Sequence, residues 1–415
     1  MFSYLVVVAV AALVTAVASY AVLRLSRRYR LAPEVRERDV HSTPTPRLGG
    51  IAMFIGVLAA FAVAATQREF AELYAETPQM WALVGACAII AAVGILDDLL
   101  DLDWMIKLAA QLIASGILAW SGLQIVSLPV GETQIIGSPA VNFVLTVFLM
   151  TLVMNAVNFV DGLDGLVAGV AIIASLAFFV YTIMLQDQIG RFDSVTIASL
   201  IAAVIVGICV GFLPFNWYRA KMFMGDTGAL LVGLLMATST VSVTGQLPAS
   251  ALDQKLVIAS YIPIVLPIAV LALPLADFTL AVVRRMLAGK SPFEADRMHL
   301  HHRLLDMGHS PLQAVSIFYL GTAVLSSALL LAYTMQSLVL PCVVLVVGLL
   351  ACAVILFFPA KRVRAALAQR GLIPLTSRPH ASAADADHPR PPGGPSWVPP
   401  MKGPPSDRTR HARFE

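Results

Sequence analysis

Apolar stretches of about 20 residues alternate along this chain with short polar segments, and a stretch of that length crosses a hydrocarbon core as a helix. Eleven candidate spans follow one another on that rule. They are Phe2–Leu23, Gly49–Thr66, Met80–Leu96, Met105–Gly122, Ala140–Asn158, Leu166–Leu185, Val195–Leu213, Ala229–Thr244, Leu256–Val283, Leu312–Tyr333 and Leu338–Phe358. The ninth carries Pro263, Pro267 and Pro274, which predicts a tilted, kinked or broken helix, and ten is the alternative count. The pattern predicts an all-α polytopic membrane protein whose transmembrane domain spans residues 1–358. Between Leu123 and Ile136, alternating residues around Pro129-Val130-Gly131-Glu132 predict a small hairpin instead.

Charge placement orients these spans. The first resembles a signal peptide at Ala16-Val17-Ala18, but it lacks a basic leader and is followed at once by Arg24, Arg27, Arg28 and Arg30. That pattern predicts an uncleaved helix with its C-terminal end in the cytoplasm. With the N-terminus outside and eleven spans, the outer loops hold only Arg68, Arg191 and Lys255 of the 28 Lys and Arg residues. The C-terminus is then cytoplasmic, and the segment Gln67–Gln79 is an acidic outer loop. Residues 359–377 read as a basic cytoplasmic segment. Residues 378–415, rich in Pro, Gly and Ala, read as a disordered tail.

Composition narrows the class further. Of 415 residues, 58% are hydrophobic and 13% charged, with a mean hydropathy of +0.82. So little charge excludes a water-soluble enzyme and a disordered scaffold. The four cysteines sit singly in apolar runs, without disulfide or metal spacing.

The few ionisable residues are clustered, and inside a membrane protein such residues are costly enough to suggest function. Asp97-Asp98-Leu99-Leu100-Asp101 ends the third span. Asn155 through Asn158, Asp161 and Asp164 to Gly165 joins the fifth to the sixth. Asn216 through Asp226-Thr227-Gly228 joins the seventh to the eighth, and His299-Leu300-His301-His302 follows the ninth. The span count places all four on the cytoplasmic face. Asp97 and Asp98 oppose the macrodipole at a helix C-terminus and so need another reason to be there. Asp161 to Gly165 also reads as a turn and N-cap, Gly225 to Gly228 as a tight turn opening a helix, and the histidines as a solvated face. Carboxylates and Asn side chains without paired thiols suit Mg²⁺ rather than zinc. Arg47, Lys107, Lys221, Arg297, Arg303 and the histidines suit phosphate oxygens. Together they point to phosphoryl transfer between a soluble and a lipid phosphate ester.

At these residues the sequence resembles the polyprenyl-phosphate N-acetylhexosamine-1-phosphate transferases, glycosyltransferase family 4. The resemblance runs from about Arg36 to Met307. It is carried in order by Pro44-Thr45-Pro46-Arg47-Leu48-Gly49-Gly50, Asp97-Asp98, Asn155 to Gly165, Asn216 to Gly228, and Asp296-Arg297-Met298-His299-Leu300-His301-His302-Arg303-Leu304. It implies transfer of a sugar-1-phosphate from a UDP-sugar to undecaprenyl phosphate in the bacterial inner membrane, releasing UMP, as the first step of a cell-envelope glycan. It also implies Mg²⁺, with Mn²⁺ as a substitute, held by Asp226 and Asn158. Phe223 resembles the aromatic stacked on uracil and Asp164 a uridine contact. Lys107, His299, His301, His302 and Arg303 resemble phosphate-binding groups, with Arg47 and Asn216 further substrate-binding candidates. Asp97 and Asp98 resemble the acidic pair near the attacking lipid phosphate, and Asp161 completes the catalytic candidates.

The Asp97-Asp98-x-x-Asp101 and His299-x-His301-His302 patterns resemble the N-acetylglucosamine branch, with the peptidoglycan-precursor branch as the alternative. Two departures are Ala229, where Ser is frequent, and Arg219, where Pro is common. Asp97 is open to two roles, positioning or deprotonating the acceptor, or forming a covalent intermediate. The expected partners are the donor, the polyprenyl acceptor and the bilayer, with no nucleic acid; a homodimer is compatible with this reading. A transporter and an intramembrane aspartyl protease fit less well, since the acids lie at helix ends and in loops and no repeat is evident.

Overall fold

The structure, a computed structural model, describes residues 1–29, 45–130, 133–189, 193–244, 261–262, 264–265, 286–287, 309–335 and 337–357. Nearly all of the ninth candidate span, the His299 to Arg303 cluster and the segments 359–377 and 378–415 lie outside these residues. The helices are α1 (Phe2–Tyr29), α2 (Gly49–Thr66), α3 (Ala71–Glu76), α4 (Gln79–Leu100), α5 (Trp104–Trp120), α6 (Pro139–Val160), α7 (Leu166–Ile189), α8 (Asp193–Asn216), α9 (Gly225–Val243), α10 (Pro311–Thr334) and α11 (Val339–Phe357). Among the described residues, nine are long and apolar enough to cross a membrane, and α5 is a shorter apolar helix of 17 residues. These ten fall on ten of the eleven predicted spans. The hairpin is present as well: β1 (Ser127–Val130) pairs antiparallel with β2 (Thr133–Ile136), Ser127 opposite Ile136 and Val130 opposite Thr133.

Several helix starts are written in the local sequence. Asp103 caps α5 by accepting from Met105 N at 2.8 Å. Ser138 precedes Pro139 at the start of α6, and Ser310 with Gln313 forms a reciprocal capping box around Pro311 at the start of α10. Outward-facing apolar surface is normal here because lipid rather than water covers it.

Helix α9 is the axis of the molecule: 94% of its apolar window is buried, against 6% for α11. α2, α4, α6 and α8 surround it, α1 lies against α2 and α8, α5 bridges α4 and α6, and α7 links α8 to α10. Small residues set the closest crossings. A Cβ on Gly50 would stand 2.3 Å from Gly228 N, and one on Gly94 2.4 Å from Thr227 Cα. The first turn of α9 is therefore wedged between the start of α2 and the end of α4. Gly169, against Tyr319, and Gly211, against the backbone of Ala12, are the close approaches their size predicts.

This alternation of up and down helices gathers the 101–103, 161–165 and 217–224 connections at one end. The hairpin and α3 occupy connections at the other.

Candidate active site

The site is built on the first turn of α9. Gly225 takes φ +71° while packed against Arg47 O and the Asp98 carboxylate, a place where a side chain has neither room nor an easy backbone conformation. The segment before α2 holds this turn from the other side. Phe223 N donates to Pro46 O at 2.9 Å, Gly49 N to Phe223 O at 3.1 Å and Gly50 N to Met224 O at 2.9 Å. Two motifs about 175 residues apart in sequence are thus zipped together through their backbones, which brings Arg47 and Phe223 to the site.

The two acids ending α4 have different surroundings. Asp98 accepts from Asp226 N at 2.9 Å, Thr227 N at 3.2 Å and Thr227 Oγ1 at 2.6 Å. It therefore caps α9 from a neighbouring helix, where a carboxylate favours the positive end of the dipole. Asp97 is buried; its Oδ1 accepts from Leu102 N at 2.9 Å and its Oδ2 faces Lys107 Nζ at 3.1 Å. Lys107, one turn into α5, also reaches Asp226 Oδ2 at 2.8 Å. Asn158 near the end of α6 hydrogen-bonds to the Asp226 carboxylate as well. Asp97, Lys107, Asn158 and Asp226, from four helices, meet at one point.

Asp161, half-buried just beyond α6, is pushed up to about 7 by burial and then by the charges of Asp226, Asp98 and Asp164, against a smaller opposing pull from Arg47. Asp164 Oδ2 accepts from Ala220 N at 3.0 Å. Asn216, only 2% exposed, accepts from Gly165 N at 3.0 Å and donates to Met222 O at 3.1 Å. Both ends of that amide tie the 161–165 turn to the 217–224 loop, so Asn216 sits as an internal strut. Arg219 in the same loop takes φ +58°, which the proline ring forbids, so this turn differs from one built on Pro.

Two contributors were not read from the sequence. Thr227 supplies a hydroxyl to Asp98; the only cue was its place beside Asp226. Tyr319 on α10 donates to Gly165 O and packs near Trp217, yet it lies in the candidate span Leu312–Tyr333, which has no Asp, Glu, Lys or Arg to mark it.

Among the described residues no group of three or more His, Cys, Asp or Glu side chains is arranged to enclose a metal by protein ligands alone. An apolar groove of about 580 Å³ runs along α5 and α6. Leu108 and Leu112 line one wall and Phe143, Phe148 and Phe159 the other, with Asn155 among them. Phe159 at its end is the next residue after Asn158.

Residues 80–244 match the model of glycosyl transferase family 4. Decaprenyl-phosphate N-acetylglucosaminephosphotransferase of Mycobacterium tuberculosis (strain ATCC 25618 / H37Rv) is 39% identical over 322 residues, 76% of this chain and 79% of the relative. The chain belongs to glycosyl transferase family 4. A probable undecaprenyl-phosphate N-acetylglucosaminyl 1-phosphate transferase of Bacillus subtilis is 32% identical over 303 residues, 72% of this chain and 76% of that one. Undecaprenyl-phosphate alpha-N-acetylglucosaminyl 1-phosphate transferase of Escherichia coli (strain K12) is 26% identical over 323 residues, 74% of this chain and 78% of that one. The family match spans α4 to α9 and so takes in Asp97, Asp98, Lys107, Asn158, Asp161, Asp164, Asn216, Phe223 and Asp226. Arg47 lies outside it and joins this family core through the backbone bonds of Pro46, Gly49 and Gly50.

Proposed function

We propose that this membrane protein transfers N-acetylglucosamine-1-phosphate from UDP-N-acetylglucosamine to a polyprenyl phosphate, releasing UMP. One observation carries the reading: α5 and α6 contribute Lys107 and Asn158 to the charged junction, and the adjoining residues Leu108 and Phe159 to an apolar groove, in a chain of this family. A water-soluble diphosphate and a lipid phosphate need such a place to meet. The relatives' names supply the sugar and extend the acceptor class to both decaprenyl and undecaprenyl phosphate. The proposal places the protein in the bacterial inner membrane with the site facing the cytoplasm; the arginines that end α1 on the site side support that orientation.

In the proposed reaction an acceptor phosphate oxygen attacks the β-phosphorus of the donor. The new P–O bond forms as the bond to the bridging oxygen breaks, and the electron pair leaves with UMP. A phosphate monoester has a second pKa of ~6, so the acceptor arrives largely ionised, and a base is of secondary importance. Lys107 and Arg47 offer positive charge to the phosphates, and Phe223 offers an aromatic face to the uracil. Asp97 holds Lys107 from the α4 side, which orients the ammonium toward the reacting groups.

Mg²⁺ fits the donor chemistry. The carboxylates of Asp97, Asp98, Asp161, Asp164 and Asp226 outnumber the nearby cations, and Asp161 is raised by burial and then by the charges of Asp226, Asp98 and Asp164. Mg²⁺ usually takes one or two carboxylates and completes its shell with water and substrate phosphate, so a full protein cage is not required. Asp226 and Asn158 would hold it, and the bound ion would neutralise charge developing on the phosphate of the departing UMP.

The test is purified protein in detergent with decaprenyl or undecaprenyl phosphate, Mg²⁺ and a panel of UDP-sugars, including UDP-N-acetylmuramoyl-pentapeptide, followed by UMP release. The expected result is turnover with UDP-N-acetylglucosamine that is lost in Asp226→Ala. Uptake of solute into sealed vesicles without lipid-linked product would overturn the assignment.

A further inference from the structure

We propose that Lys107 is a resident cation that competes with the divalent metal for Asp226, and that the donor diphosphate relieves this competition by drawing the ammonium onto its own oxygens. The inference rests on the metal and UDP-sugar reading above. Its basis is geometric: Lys107 Nζ stands 2.8 Å from Asp226 Oδ2 and 3.1 Å from Asp97 Oδ2, so it already neutralises the carboxylate assigned to the metal. The Lys107 and Asp226 side chains are only partly covered, 26% and 30% exposed, so an incoming ion and an incoming phosphate both have access to them.

Two cations sharing one carboxylate repel each other strongly in a partly desolvated site. A metal ion alone must displace or crowd Lys107, and it binds weakly. A diphosphate brings oxygens for both cations, so metal and donor bind more tightly together than apart. By linkage the coupling is reciprocal. Asp97 gives the displaced ammonium a second anchor, which keeps Lys107 at the junction instead of releasing it to solvent.

The experiment measures Mn²⁺ affinity of the full-length protein in detergent by electron paramagnetic resonance, with and without UDP, in wild type and Lys107→Gln. In the absence of UDP, Lys107→Gln should bind Mn²⁺ about tenfold more tightly than wild type. UDP should tighten Mn²⁺ binding in wild type and do so much less in the variant. Equal or weaker Mn²⁺ binding by Lys107→Gln without UDP overturns the inference while leaving the metal reading intact. No Mn²⁺ binding by either protein even with UDP overturns both. A readout without substitution guards against a misfolded variant. In wild type, Mn²⁺ alone should raise the rate at which an amine-acylating reagent labels Lys107, read by peptide mass spectrometry, and an unchanged rate overturns the inference.

Discussion

Both oxygens of Asp98 are bonded to the first turn of α9, and this fixes the direction in which the neighbouring Asp226 carboxylate points. Asp98→Ala strands those donors and should cost about 1–3 kcal/mol, seen as a lower thermal midpoint together with reduced turnover. Asp226→Ala should lower turnover by ~100-fold or more with little loss of thermal stability, since its side chain anchors no helix end. Asp161 gives a pH signature. Its carboxyl is raised from 3.8 to about 7, so the protonated form favours the fold. That contribution is complete below pH ~4 and is lost as the pH rises to about 7. With chelator present, Asp161→Asn should melt above wild type at pH 8, and the gap should close as the pH falls toward 4. A constant gap would mean that Asp161 is not held in this field. The sequence shows Asp97 and Asp98 as one acidic pair and does not tell their surroundings apart. Their partners lie 10 and about 130 residues away in the chain, so the division between a lysine-holding acid and a helix-capping acid is a product of folding alone. Asn216 is the same lesson reversed: a polar residue in a functional motif whose amide oxygen and nitrogen each bond to a backbone group.

At the scale of elements, the crossing of α2, α4 and α9 determines whether the site exists. Gly50→Ala and Gly94→Ala place a methyl against backbone atoms of Gly228 and Thr227 that cannot move without shifting the α9 cap. Each should destabilise the protein by about 1–3 kcal/mol and lower turnover. Gly85→Ala, on the same helix as Gly94 but with nothing within 4 Å of its Cβ, should leave turnover unchanged and raise stability by up to ~1 kcal/mol. Thermal unfolding in detergent separates the two groups. Ten spans were legible because hydropathy over about 20 residues reports directly on lipid burial. The hairpin was legible from alternation. α3 was not, because Ala71–Glu76 is too short for a helical period to stand out, and it is set by Phe70 and Leu73 packing into the core. α1 continues through Arg24 to Tyr29, beyond the apolar run, because a helix can carry long basic side chains out of the membrane without breaking.

For the molecule as a whole, span parity was enough to bring the separated motifs to one end, and the structure gathers the described ones there. The groove was not legible. Leu108, Leu112 and Phe148 have the same hydropathy whether they face lipid or a furrow, and only the relative placement of α5 and α6 distinguishes the two. Val147→Trp, at a position lining the groove, should raise the KM for polyprenyl phosphate several-fold while leaving that for the UDP-sugar unchanged. Equal changes in both constants would argue against the groove as the acceptor's path. Beside the site, Leu99, Leu100, Trp104, Met105 and Ile106 are all exposed. An exposed apolar and aromatic rim of this kind suits the membrane interface, which would set the junction of Asp97, Lys107 and Asp226 close to the plane of the headgroups. In the proposed reaction one substrate then arrives from three-dimensional solution and the other by lateral diffusion in a sheet. For the second, concentration means mole fraction in the lipid. Adding empty vesicles that do not fuse should leave the rate untouched, whereas blending inert lipid into the same vesicles should slow it in proportion to the dilution.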